Sequence, residues 1–136
     1  MKLFQENFYL VFPTGWKITN ENFSAELLSK VSTYPVISYS EDFNFPKILA
    51  EKYRLKNISP NICTIPNWIA LLQLVEKQVG WTVVPERLLP PNKKLMAVKI
   101  PAELQPPVTY YLIYKKSFSK VSWFKELIQN LTETYA

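Results

Sequence analysis

The stretch from residue 67 to residue 90, NWIALLQLVEKQVGWTVVPERLLP, constrains the fold more than any other part of the chain. Asn67 is a residue type that accepts a backbone N–H at the start of a helix. A stripe of apolar residues at helical spacing follows it and predicts one buried helix face. The stripe consists of Trp68, Leu72, Val75 and Val79.

Gly80 is one of only two glycines in the chain and lies where this helix must end. We expect it to take the left-handed conformation that often closes a helix. Residues 81–84, WTVV, predict a short buried strand, and Pro85 ends it. Helix, glycine turn and strand together are half of an α/β unit.

Strands and helices alternate along the rest of the chain. Strands are predicted at 7–12, 35–39, 61–65, 95–100 and 108–115. Further helices are predicted from Asn22, as its cap, to Lys30, from about Pro46 to Lys56, and after Ser119 as the cap of the last one. Alternating elements predict an α/β sandwich over residues 1–136, with a mostly parallel sheet and helices on both faces.

Three of these predictions specify which side chains are buried. Their apolar residues recur three or four positions apart, as on one side of a helix. The predicted sets are Phe23, Leu27 and Leu28, then Phe45, Ile48, Leu49 and Tyr53, and last Val121, Phe124, Ile128, Leu131 and Tyr135.

Composition indicates one small globular domain with an ordinary surface. The chain has 136 residues, of which 48% are hydrophobic, so a disordered tail is excluded. Its net charge of +5 is dispersed, whereas a nucleic-acid surface needs a clustered basic face. The nearest candidates for such a face are the pairs Lys93-Lys94 and Lys115-Lys116, and a solvated surface is the favoured interpretation.

The lone cysteine and the N-terminus predict a soluble cytoplasmic protein. Cys63 has no partner for an internal disulfide, and its predicted strand makes it a small buried apolar residue rather than a redox group. Gln5, Glu6 and Asn7 interrupt the apolar N-terminus, so it lacks a signal-peptide core. No apolar run is long enough to cross a membrane.

The sequence does not favour catalysis. There is no histidine, which removes the commonest general base and metal ligand. Gly15 and Gly80 stand alone, so there is no glycine-rich phosphate loop. The acidic pairs Glu41-Asp42 and Glu21-Glu26 lack metal-ligand spacing and predict a solvated loop or helix face. We therefore expect no catalytic residue, metal or cofactor, and an enzyme is the least favoured class.

Ligand binding is better supported, because ligands of open α/β sheets bind beyond the carboxyl ends of the strands. Two segments have that position: residues 38–43, after the second predicted strand, and residues 64–67, after the third. The helix that begins at Asn67 would attract an anionic group such as a carboxylate. The hydroxyls of Ser38 or Ser40 would add hydrogen bonds. The alternative is that Ser40 and Asn67 only cap their helices.

Four segments resemble one family in the same order. LVEKQVGWTVVPERLL resembles the "lVaaGlGiallP" segment of the effector-binding domain of LysR-type transcriptional regulators, and TYPVISYSEDFNF resembles its "yPfI.y" strand and following loop. LMAVKIP and TYYLIYKKSFSKVSWFKELI resemble its closing strands and last helix. One feature departs from the family, because its usual "G-x-G" is Val79-Gly80-Trp81 in this chain.

The resemblance implies the fold of type 2 periplasmic binding proteins, in which two α/β subdomains enclose a small-molecule cleft. It assigns to this chain the second subdomain and the C-terminal strand and helix. It further implies cleft contacts from Tyr39, Ser40, Pro66 and Asn67, and a small-molecule effector whose identity does not transfer. Cofactors are not implied.

The family's winged helix-turn-helix and most of its first subdomain have no counterpart in the sequence. The resemblance therefore implies a piece of a longer regulator or a truncated open reading frame, which binds effector weakly or not at all and contacts DNA only through a domain that it lacks. Family members dimerise through the effector domain, and 15% of the residues are aromatic, so we expect a homo-oligomer. The alternative function is a stand-alone small-ligand binding module of the same fold, which an in-frame helix-turn-helix upstream of Met1 in the gene would exclude.

Overall fold

The computed structural model describes residues 1–19, 22–41, 45–55, 62–105 and 108–135. Residues Asn7–Pro106 form one unit, called here the central unit. Met1–Glu6 and Pro107–Ala136 form a second one, the terminal unit. The ends of several predictions, at Glu21, Asp42, Phe43, Lys56, 60–61 and 106–107 and at the side chain of Tyr135, lie outside the described residues.

The helices and strands are numbered along the chain. The strands are β1 Lys2–Gln5, β2 Phe8–Pro13, β3 Val36–Ser38, β4 Ile62–Thr64, β5 Thr82–Pro85, β6 Leu95–Lys99 and β7 Thr109–Tyr111. The α-helices are α1 Ala25–Val31, α2 Phe45–Lys52, α3 Trp68–Glu76 and α4 Ser122–Tyr135. Short 3₁₀ turns lie at Thr14–Trp16, Glu86–Leu88, Ala102–Leu104 and Lys116–Lys120.

The sheet of the central unit has the strand order β4-β3-β5-β2-β6. β3 and β4 pair in parallel, and an isolated parallel bridge between Val36 and Trp81 joins β3 to the start of β5. β2 pairs antiparallel with both β5 and β6. Within the described residues, four of these five strands therefore run in one direction. The prediction of a mostly parallel sheet is confirmed with one correction, because β2 runs against its neighbours.

Helices cover both faces of this sheet, as predicted. Val11 of β2 packs with Leu71, Leu72 and Val75 of α3 in one buried cluster. Phe8 contacts Phe45 of α2, with ring centroids 5.7 Å apart. Residues three apart on a strand point to opposite faces. The position of α3 is therefore opposite to that of α2.

The start of α1 differs from the prediction by two residues. The Ser24 hydroxyl accepts the backbone N–H of Leu27 at 3.0 Å, so Ser24 rather than Asn22 is the cap. Leu27 and Leu28 are buried as predicted, and Phe23 is half-buried. In α2, Phe45 and Leu49 are buried, but Ile48 is 44% exposed because the helix covers the sheet with only one of its sides.

The end of α3 corrects the role of Gly80. The left-handed residue is Gln78, with φ of 63°, and Gly80 has no positive φ. Gly80 instead lies against the backbone of Pro35, where a Cβ atom would clash. Because α3 ends at Glu76, Val79 lies beyond the helix and is 45% exposed rather than buried as predicted. The buried face of α3 includes Leu71 instead.

Cys63 is exposed, in contrast to its predicted burial. Its strand β4 has only one pairing partner among the described strands, β3. β4 is therefore an edge strand. Cys63 pairs with Ile37 of β3, which is fully buried, but Cys63 itself is exposed.

The terminal unit consists of the antiparallel pair β1-β7 and helix α4, which packs against β1. Phe4 stacks on Tyr110 with ring centroids 4.6 Å apart. β1 was not predicted. Ser119 lies in the 3₁₀ turn before α4 and donates its hydroxyl to the Lys116 carbonyl at 2.6 Å, so it does not begin the helix.

An apolar surface patch lies in the terminal unit. Phe124 of α4 is buried, but several apolar side chains around it, in the segment after β7 and in α4, are exposed. This C-terminal patch comprises Ile113, Tyr114, Phe118, Trp123 and Leu127. Among the helices described, none is long and apolar enough to cross a membrane.

Candidate functional site

The parallel pairing of β3 and β4 brings the two predicted binding segments together. Ser38 is paired with Thr64, so both strands end at the same level of the sheet. The N–H of Ile65 donates to the Ser38 carbonyl at 2.8 Å, which extends the pairing into the loop after β4. Residues 38–41 and 65–67 therefore form one continuous edge at the carboxyl ends of the strands.

Ser38 stabilises the loop that follows its own strand. Its side chain is buried, and its hydroxyl donates to the Ser40 carbonyl at 3.0 Å. The hydroxyl proton of Ser38 is thus engaged within the protein. Ser40, by contrast, is half-buried at the edge itself.

Two aromatic rings connect the loops. Tyr39 stacks on Trp68 with centroids 4.3 Å apart and an interplanar angle of 11°. Both rings are half-buried, and both pack against the apolar cluster beneath α3. Because Tyr39 follows β3 and Trp68 begins α3, this stack fixes the first turn of the helix beside the β3 loop.

Asn67 caps α3, as predicted. Its Oδ1 accepts the backbone N–H of Ala70 at 3.0 Å, which satisfies one of the unpaired donors of the first turn. The residue is exposed, as is Pro66 before it. The predicted cap role of Ser40 is not tested, since residues 42–44 before α2 lie outside the described residues.

The edge offers three kinds of interaction to a small molecule. The stacked rings provide an apolar wall, and the positive end of α3 and the Asn67 amide favour negative charge. Glu41 is exposed beside Ser40 and carries the opposite preference, which limits where an anion can lie. The described residues include no cluster of three His, Cys, Asp or Glu side chains that would hold a metal ion.

Sequence reasoning did not place Trp68 at the candidate site. Its helical spacing with Leu72 and Val75 assigned it to the buried stripe. The signal that would have indicated this position is that Trp68 directly follows the helix cap Asn67. A side chain in the first turn of α3 lies near the carboxyl ends of the strands rather than over the sheet.

Structural comparison finds the same fold in proteins of low sequence identity. A Pseudomonas aeruginosa protein assigned to the LysR-family regulators has a TM-score of 0.68 and 15% identity, over 100% of this chain and 48% of that one. A substrate-binding domain assigned to a molybdenum ABC transporter of Clostridium difficile has a TM-score of 0.68 and 17% identity, over 97% and 59%. A mutant of OxyR from Corynebacterium glutamicum has a TM-score of 0.63 and 17% identity, over 98% and 42%.

The chain thus spans about half the length of these proteins, and the likeness confirms the predicted periplasmic-binding-protein-like fold. No curated protein sequence matches it significantly. The family profile described as "LysR substrate binding domain" matches residues 1–134, which is nearly the whole chain. The chain therefore belongs to the LysR substrate-binding domain family.

Proposed function

We propose that the chain is the effector-sensing part of a LysR-type transcriptional regulator and binds a small anionic molecule at the edge formed by residues 38–41 and 65–67. Tyr39, Ser40, Pro66 and Asn67 contact the ligand, and Ser38 keeps the β3 loop in place. The proposed activity is binding, without catalysis.

The observation that supports this proposal is the meeting of both predicted segments at one strand edge. Ser38 pairs with Thr64, Tyr39 stacks on Trp68, and Asn67 begins α3 beside them. The edge lies where ligands of α/β sheets bind. Chemically, it combines an apolar wall with donors for a carboxylate.

The two units correspond to different parts of the family fold in this proposal. The central unit is the second subdomain, and the terminal unit contains the C-terminal strand and helix that the family resemblance adds to it. The edge would then be one wall of an inter-subdomain cleft. DNA binding would come from a separate winged helix-turn-helix, and the regulator would work in the cytoplasm. CbnR, which has the same fold with a TM-score of 0.60, is solved in complex with its target DNA.

Chemical-shift mapping tests the site, because it detects the weak binding expected of a single wall. The ¹⁵N-labelled chain is titrated with a panel of small carboxylates and amino acids. We expect at least one ligand to shift the amide signals of Tyr39, Ser40 and Asn67. Ser40→Ala should weaken that response, whereas Ser29→Ala, at an exposed position of α1, should not.

Two results would count against the proposal. One is a panel that leaves the three amides unmoved at the highest soluble concentrations. The other is a set of shifts that map to other surfaces and are unaffected by Ser40→Ala. Thermal-shift assays with the same panel give an independent readout, since a ligand that binds only the folded state raises the melting temperature.

We propose that the C-terminal patch mediates self-association. Ile113 is 91% exposed and Trp123 is 56% exposed, and they lie in one shallow groove with Leu127. Exposed apolar side chains that cluster in this way gain free energy when a second surface covers them. A second copy of the chain is the proposed occupant.

A further inference from the structure

The candidate effector site lies at the carboxyl ends of the parallel strands. A polar depression lies at the other end of the same strands. Its volume is about 440 Å³, and its walls are the turn at residues 13–15, the end of α3 at Glu76 and Gln78, and the loop at Lys93 and Lys94. β2 ends at Pro13 and β6 begins at Leu95. This depression is therefore at the amino ends of the parallel strands, whereas Ser38 and Thr64 end theirs at the carboxyl edge.

Two hydrogen bonds that Thr14 donates hold the backbone of the two lysines at the depression. The backbone N–H of Thr14 donates to the Lys94 carbonyl at 2.9 Å, and its hydroxyl donates to the Lys93 carbonyl at 2.8 Å. The Lys94 N–H donates to Oδ1 of Asn92 at 2.9 Å. The loop backbone is thus tied on both sides, so consecutive lysine side chains stay beside the turn after β2.

Gln78 closes the depression from the side of α3. A Cβ atom on Gly15 would lie 2.6 Å from Nε2 of Gln78, so the Gln78 amide lies directly over the glycine. The left-handed backbone at Gln78, with φ of 63°, turns the chain at this point. The amide adds a neutral hydrogen-bond donor to the charged donors of the lysines.

Positive charge exceeds negative charge among the residues that line the depression. The lining itself contains two lysines, Lys93 and Lys94, against one carboxylate, Glu76. Among the described residues, neither Lys93 nor Lys94 forms an ion pair with a carboxylate. The ammonium groups of Lys93 and Lys94 are therefore available to an external anion.

We propose that this depression binds the phosphate groups of a polyanion, with Lys93, Lys94 and the Gln78 amide as direct contacts. Lysine binds phosphate as a point charge, and two adjacent lysines at one depression suit a ligand with more than one negative charge. The volume exceeds that of a single water, about 30 Å³, by more than tenfold, so it admits linked phosphate groups. Two sources share this chemistry, the phosphodiester backbone of a nucleic acid and a free polyphosphate.

Binding of sodium tripolyphosphate and of a mixed-sequence DNA duplex to the full chain tests the proposal. We expect the amides of Thr14, Gln78, Lys93 and Lys94 to shift in ¹⁵N spectra, with affinity falling as salt increases. The double variant K93E/K94E should lose at least about tenfold in affinity, since each reversal replaces an attraction by a repulsion. The double variant K52E/K99E changes the net charge equally at exposed lysines elsewhere and should stay within about twofold of the original.

The two ligands separate the sources. Binding of tripolyphosphate alone assigns a free phosphate ligand, and binding of the duplex through the same residues assigns a nucleic-acid backbone. The proposal is overturned if neither ligand shifts these amides, or if both double variants weaken binding equally, which would indicate general charge attraction. Circular dichroism checks the fold, and K93Q/K94Q, which removes charge without reversing it, replaces K93E/K94E if that variant unfolds. The effector site can fail its own test without affecting this result, because none of the residues is shared.

Discussion

The carbonyl group of Pro35 lies against Gly80 so closely that no other residue type fits there without a shift of the backbone. A Cβ atom at Gly80 would be under 3.0 Å from the Pro35 oxygen and 3.1 Å from a side-chain carbon of Ile37. The same carbonyl accepts the N–H of Trp81 at 3.1 Å, and the Trp81 carbonyl accepts the N–H of Ile37 at 2.9 Å. Gly80 therefore permits the junction between β3 and β5.

Gly80→Ala should lower the free energy of unfolding by about 1–3 kcal/mol, as overpacking of a rigid site does. Gly15→Ala is the matched control, because its new Cβ meets only the flexible side chain of exposed Gln78. Urea denaturation followed by circular dichroism measures both variants. Equal stability of the two would show that the backbone of Pro35 can move aside at little cost.

Gln78→Gly should stabilise the chain by about 1 kcal/mol, since a left-handed conformation is costly for residues other than glycine. Lys77→Gly is the control, because Lys77 has φ of −78° and gains nothing from glycine. Melting temperatures of the two variants give the comparison. A decrease for Gln78→Gly would indicate that the side chain of Gln78 contributes more than the backbone strain costs.

Substitutions at Asn67 separate helix capping from ligand contact. Asn67→Ala should lower the free energy of unfolding by about 1 kcal/mol through loss of the bond to Ala70. Asn67→Asp keeps an acceptor for that N–H and should keep the stability, yet its charge should repel an anionic ligand. Unchanged ligand-induced shifts in Asn67→Asp would limit Asn67 to the capping role.

The pKa of Tyr9 is raised above its usual value of 10.0 by burial, by the charge of Glu86 and by the hydrogen bond that its hydroxyl donates to Glu86 at 3.3 Å. Ionisation is therefore harder in the folded chain than in the unfolded one. The protonated Tyr9 hydroxyl therefore contributes its full stabilisation at a pH below the pKa of Tyr9 in the unfolded chain. This stabilisation is lost as the pH rises through the higher pKa of Tyr9 in the folded chain. Tyr9→Phe should show a smaller loss of stability in alkaline urea titrations, and Glu86→Gln should bring the onset of Tyr9 ionisation to lower pH. Identical alkaline profiles for wild type and Tyr9→Phe would contradict this.

Trp123→Glu should shift the chain towards the monomer, because it places a charge in the C-terminal patch. Asn130→Glu adds the same charge at an exposed polar position of α4 and should leave the association unchanged. Size-exclusion chromatography with light scattering over a range of concentrations measures both variants. A wild-type chain that stays strictly monomeric at high concentration would refute the self-association.

Local sequence patterns predicted most of the central unit. The alternation of Phe8, Leu10 and Phe12 marked β2, and Asn67 marked the start of α3, because each signal depends on the residues next to it. Their packing could not be read so directly. Leu71 replaced Val79 in the buried stripe because α3 ends at Glu76, and that end depends on the left-handed backbone at Gln78.

Long-range relationships account for the remaining differences. The antiparallel direction of β2 follows from pairing with β5 and β6, which are far away in sequence. β1 was not predicted because it pairs only with β7 among the described strands, and Cys63 is exposed because β4 lies at an edge. At the candidate site, the two loops were predicted, but the Tyr39–Trp68 stack that joins them depends on strand register.

The pairing of Lys2 in β1 with Tyr111 in β7 has a consequence for the order in which the chain folds during synthesis. All strands and helices of the central unit belong to one continuous segment, so that unit can form as soon as it has left the ribosome. β1 precedes the central unit in the sequence, and its pairing partner β7 follows that unit, more than a hundred residues after β1. Until β7 has been synthesised, the backbone donors and acceptors that β1 uses in this pairing lack their β7 partners and can bind other polypeptides.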